Sequence, residues 1–119
     1  MYSEQVLDHF HHPRNVGEIA EPSTVVEASN PVCGDAVKLW ILLRDERIAD
    51  VKFKVQGCVP AVACASWLTE AIKGKPVAEI AALSSEEIEK GLGGLPQASR
   101  HASMLAIVAL REALENLNC

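Results

Sequence analysis

The hydrophobic period of this chain changes once, across Gly57-Cys58-Val59-Pro60, and that change divides the fold into a sheet half and a helix half. Upstream, Val51, Phe53 and Val55 alternate with Lys52 and Lys54, the two-residue period of a strand with one buried face. Residues 36–43 are a nearly continuous apolar run of strand character, and Arg44-Asp45-Glu46-Arg47 is a polar turn joining it to residues 48–55. Residues 24–28 add a weaker strand. Links this short leave no room for a crossover helix, so the strands must form an antiparallel meander.

Downstream of Pro60, Val62, Ala65, Thr69 and Ile72 make a helical stripe that runs to about Lys73, where Gly74 supplies a stop. Pro60 falls in the first turn, where a missing amide proton costs nothing. Residues 76–83 read as a short helix, and Ser84 with Glu87 as a capping box opening another that reaches Lys90. A glycine-rich loop, Gly91-Leu92-Gly93-Gly94-Leu95-Pro96, follows, and Ser99 is placed to cap a last helix with an apolar seam of Ile107, Leu110, Leu114 and Leu117. Ahead of the sheet, residues 2–10 predict a helix capped by Ser3, with Val6, Leu7 and Phe10 on one side and Pro13 as its stop. The expected class is α+β: a small antiparallel sheet of about three strands packed against helices, one domain over residues 1–119.

Charge and hydropathy narrow the function. A net charge of -5 with no lysine or arginine cluster argues against nucleic acid as a partner. No apolar stretch approaches the ~20 residues that span a bilayer, and Ser3-Glu4-Gln5 is not the start of a signal core. The expectation is a cytoplasmic protein whose thiols stay reduced, where cysteines serve metal or redox chemistry more often than structural bridges, so that the even number of Cys33, Cys58, Cys64 and Cys119 is no sign of disulfides.

Cys33-Gly34-Asp35 places a thiol and a carboxylate in one tight loop, with Gly34 free to adopt angles that turn both toward one point. Cys58 precedes a helix, where free amides and the helix dipole favour a thiolate and lower its pKa. His101 lies in the first turn of another helix. Two thiolates, a carboxylate and an imidazole satisfy tetrahedral zinc, and the same set can hold an iron–sulfur cluster. Cys64 lies six residues beyond Cys58, about 9 Å along a helix and rotated by about 120°, and reads as a small core residue. Cys119 ends the chain. His9, His11 and His12 read as solvated or capping histidines rather than a second metal site, and Trp40 and Trp67 as packing residues. Lys73, Lys75 and Arg100 read as solvated charges, with Arg100 beside the site able to steer an anion.

A set of ordered motifs spans nearly the whole chain: Tyr2-Ser3-Glu4, Asp8-His9-Phe10, Pro13-Arg14-Asn15-Val16-Gly17, Cys33-Gly34-Asp35, Gly57-Cys58, Leu68-Thr69-Glu70, Lys73-Gly74-Lys75, Leu95-Pro96 and His101. In these the chain resembles the IscU/NifU-type iron–sulfur cluster scaffolds. The resemblance implies a non-enzymatic domain that receives sulfide from a cysteine desulfurase, assembles a [2Fe–2S] cluster from it and iron, and passes the cluster to recipient apo-proteins. It also implies that Cys33, Asp35, Cys58 and His101 are the site residues, that zinc is an alternative occupant, and that the aspartate keeps the cluster transferable. Two places depart from the pattern. The family's third cysteine, directly after the histidine, is here Ala102, and the chaperone-recognition segment Leu-Pro-Pro-Val-Lys is here Leu95-Pro96-Gln97-Ala98-Ser99. Two rival readings stay open: a degenerate zinc-binding relative that regulates or docks with a desulfurase, and a persulfide-accepting sulfurtransferase.

Overall fold

The computed structural model describes residues 2–30 and 34–117. Strands β1 (Thr24–Asn30), β2 (Asp35–Arg44) and β3 (Arg47–Gln56) form one antiparallel sheet in the order β1-β2-β3, the meander that the short links require. The β2–β3 turn is the two residues Asp45 and Glu46, both left-handed at φ 54 and 62, as the twist-matched tight hairpin turn demands. Helices α1 (Glu4–His11), α2 (Val59–Ile72), α3 (Val77–Ile80), α4 (Ser85–Gly91) and α5 (Arg100–Leu117) complete the fold. The two long ones cover one face of the sheet, α2 over β3 and α5 over β1 and β2.

Strand phase decides what reaches that face. In β2, Val37, Leu39 and Ile41 are buried, and Asp35 shares their parity and their burial. Lys38 lies exposed on the opposite face, where its Nζ sits 5.2 Å from the Trp40 ring. Phe53, Leu68, Ile72 and Leu110 fill the layer between sheet and helices. A Leu68→Ala truncation there removes about 2–5 kcal/mol of stability.

Helix α1 is held by polar groups. Ser3 caps it by accepting the Val6 amide at 3.0 Å and donates its own hydroxyl to the Leu92 carbonyl. His9 is buried and pairs through Nδ1 with Ser66 Oγ of α2 at 2.7 Å, while the Arg14 amide donates to the same oxygen at 2.9 Å. The expectation of a solvated or capping His9 is thus corrected: its ring takes the inward position beside Val6, and it is Leu7 that turns outward. His11 and His12 are exposed. Past α1 the chain lies along the outer edge of β3, with Gly17 N–H donating to Phe53 O and Phe53 N–H to Asn15 O, both at 3.0 Å.

Three helix boundaries need comment. The Ser84 capping box forms, with both reciprocal bonds made to Glu87. Helix α3 covers only Val77–Ile80 of the stretch expected to be helical. Ser99 does not cap α5, because the chain already turns as a 3-10 helix over Gln97–Ser99, entered from Pro96, and runs from it directly into α5.

Candidate metal centre

Three chain ends meet at one edge of the sheet–helix interface. Gly34, left-handed at φ 74 and donating to Asn30 O at 2.8 Å, delivers the chain to Asp35 at the start of β2. Its strand parity then sends the carboxylate inward, leaving Asp35 only 3% exposed. Strand β3 ends beside it, and Gly57 carries the chain to Cys58, the N-cap of α2. His101 projects from the first turn of α5, which is fixed to α4 by Ser103 Oγ donating to Glu89 Oε2 at 2.8 Å and by Arg100 Nε lying 3.4 Å from Glu89 Oε1.

The ligand atoms of Asp35, Cys58 and His101 all lie within 4.8 Å of one another. The two carboxylate oxygens have different work. Oδ1 accepts the Cys58 backbone amide at 3.2 Å, whereas Oδ2 accepts the Cys58 thiol at 3.3 Å and lies 3.2 Å from His101 Nε2. His101 Nδ1 is 3.2 Å from the Ala98 carbonyl, which can only accept, so that nitrogen carries the proton. Nε2 is thereby left to face the carboxylate, and a second N–H tied to a backbone carbonyl is the usual orientation of a metal-binding imidazole. A buried carboxylate, a thiol and an imidazole nitrogen aimed at one point could together hold a cation at their centre.

The expected lowering of the Cys58 pKa is overturned. Burial pushes the thiol upward and the adjacent Asp35 carboxylate adds to it, and these outweigh the amide donation from Ala61 at the helix start. Before any metal arrives, Cys58 is a thiol hydrogen-bonded to Asp35. Of the four residues expected at the site, Asp35, Cys58 and His101 come together, while Cys33 lies outside the described residues, as does Cys119. Cys64 is sealed in the core with its pKa pushed up to about 12, so the packing role fits it. Ala102 is buried directly beside His101. The Ala98 carbonyl is the one participant that no side-chain motif could have announced.

The whole arrangement belongs to a recognisable class of small α+β domain. The chain matches the family described as the NifU-like N terminal domain over residues 1–118, and it belongs to that family. It is 45% identical over 114 residues to the iron–sulfur cluster assembly scaffold protein IscU 1 of Archaeoglobus fulgidus, covering 96% of this chain and 74% of that protein. It is 42% identical over 117 residues to the scaffold protein IscU of Aquifex aeolicus, covering 97% and 74%. The crystal structure of an N-terminal NifU-like protein from Brucella abortus has the same fold, with a TM-score of 0.80 over 98% of this chain and 93% of that one at 21% identity.

Proposed function

We propose that the chain is an iron–sulfur cluster assembly scaffold that carries iron or a [2Fe–2S] cluster as cargo on Asp35, Cys58 and His101, with Cys33 as a further ligand. The observation that carries this reading is the convergence of those three donors within 4.8 Å in a member of this family. Incoming iron replaces the proton that Cys58 shares with Asp35, so loading releases protons. Thiolate and imidazole hold the metal firmly, and the carboxylate, a hard ligand poorly matched to an iron–sulfur centre, is the bond that yields when the cargo leaves. The sulfide donor in this reading is a cysteine desulfurase, and the recipients are apo iron–sulfur proteins. No helix among the described residues is long and apolar enough to cross a membrane.

Anaerobic reconstitution with ferrous iron, sulfide and reductant tests it. The expected product shows visible sulfur-to-iron charge-transfer bands in the wild type that vanish in Cys33→Ala and Cys58→Ala. Stoichiometric zinc with no such bands in the wild type would overturn the cluster reading in favour of a zinc protein.

A further inference from the structure

We propose that Gly57 is a positioning residue of the metal centre: its missing side chain lets the Asp35 carboxylate lie against the Gly57–Cys58 peptide, tying one oxygen to the backbone and presenting the other to the metal. The inference rests on the reading of Asp35 as a ligand and adds a residue that holds it.

A Cβ placed on Gly57 would lie 2.8 Å from Asp35 Cγ, 3.1 Å from Asp35 Cβ and closer still to Oδ1, and these are the nearest atoms it would meet. Real Cβ atoms do not approach that closely, so something must shift. The backbone does not itself ask for glycine at this place. Gly17, Gly34, Gly74, Gly93 and Gly94 have positive φ, and Gly57 does not, so alanine can adopt its conformation. What glycine supplies here is room, and the group that fills the room is the site's carboxylate. Gly91 is the contrasting case, since a Cβ there would strike the Trp67 ring, an ordinary packing contact.

Asp35 cannot withdraw without loss. It is paired to Asn30 at the start of β2, and its inward side chain is held between the Cys58 amide and the donors of the site. A methyl group at residue 57 displaces Oδ1 from Cys58 N–H and carries Oδ2 away from Cys58 Sγ and His101 Nε2 together. With Oδ1 committed to the amide, Asp35 reaches a metal through one oxygen only. That single hard oxygen is the least well matched ligand to a cargo otherwise bound by sulfur and nitrogen.

The test is a double-mutant cycle on Gly57→Ala, Asp35→Ala and their combination, read by zinc affinity, the visible spectrum of the cobalt(II) form and urea unfolding. Gly57→Ala should weaken zinc by about 10–100-fold, as loss of an outer-shell support does, and give the cobalt spectrum of Asp35→Ala. In the Asp35→Ala background, Gly57→Ala should leave zinc affinity unchanged and shift the unfolding midpoint far less than in the wild type, because the colliding carboxyl group is gone and only the 3.1 Å contact with the residue 35 Cβ remains. Wild-type affinity and spectrum in Gly57→Ala, or independent losses that add in the double variant, would overturn the inference while leaving the ligand reading in place. Failure of the wild type to bind zinc or cobalt would overturn the ligand reading and this inference with it. If Gly57→Ala alone does not fold, recovery of folding in the double variant supports the collision, and an unfolded double variant refutes it.

Discussion

The molecule contains two histidine–carboxylate pairs that invert one another. Between α1 and α2, His9 is the buried member, and its partner Glu70, 3.8 Å away, is half in solvent. At the metal centre, Asp35 is the buried member, and His101, 3.2 Å away, keeps about a quarter of its side-chain surface exposed. A neutral imidazole can be buried against a hydroxyl, and Ser66 satisfies it from inside the fold. A buried carboxylate wants positive charge, and the donors that the described residues turn toward Asp35 are the Cys58 thiol and the Cys58 amide, while the Nε2 that His101 presents is a further lone pair. The first pair is therefore a finished joint, whereas the second is a set of donors that could hold a cation.

The largest effect that would break this contrast falls on the metal side. Cys58→Ala should lower zinc affinity by at least the ~10–100-fold that loss of even an outer-shell partner brings. It should cost unfolding free energy only on the scale of one hydrogen bond, about 0.5–1.5 kcal/mol, because the thiol donates to buried Asp35. A chelator competition paired with urea unfolding decides it, and unchanged zinc affinity would remove Cys58 from the site.

Ser66→Ala should do the reverse. It strips a partner from buried His9 and from the Arg14 amide and should cost about 1–3 kcal/mol in urea unfolding. Zinc affinity should stay at the wild-type value. A matching loss of zinc affinity would show that the two regions are coupled.

The smallest effect is a pH dependence of the joint. Burial, reinforced by the Arg14 charge, holds the His9 pKa below its ordinary 6.5 against the opposing pull of Glu70 and Asp8. The unfolded chain then takes up a proton that the folded chain refuses, so this contribution to stability is complete above about pH 6.5 and is lost as pH falls below it. Unfolding free energies at about pH 7.5 and about pH 5.5 should show a drop that shrinks in His9→Asn. Equal drops in the two proteins would mean that His9 is not the titrating group.

The sheet was legible because its signals are local: the alternation through Val51, Phe53 and Val55, and links too short for a crossover. The Ser84 capping box was legible for the same reason. Ser99 misled because a 3-10 turn places it inside helical geometry, and capping patterns assume that the helix starts at one residue. His9 misled because its partner stands fifty-seven positions away in α2, beyond the reach of any helix-face argument. At the candidate metal centre, the motif resemblance pointed to Asp35, Cys58 and His101, which the fold brings together, but the protonation of Cys58 could not be read from it. Helix position predicts a lowered pKa, and it is burial of the thiol, reinforced by the carboxylate brought in by another strand, that reverses the sign. Gly57 stood in the sequence only as part of the Gly57-Cys58 junction between strand and helix, and only the position of Asp35 gives its missing side chain a purpose.

The segment after α1 has one more consequence. By occupying both the N–H and the C=O of Phe53, Asn15 and Gly17 blunt a rim of the sheet that could otherwise template another chain. The same short stretch that moors α1 thus also guards against aggregation.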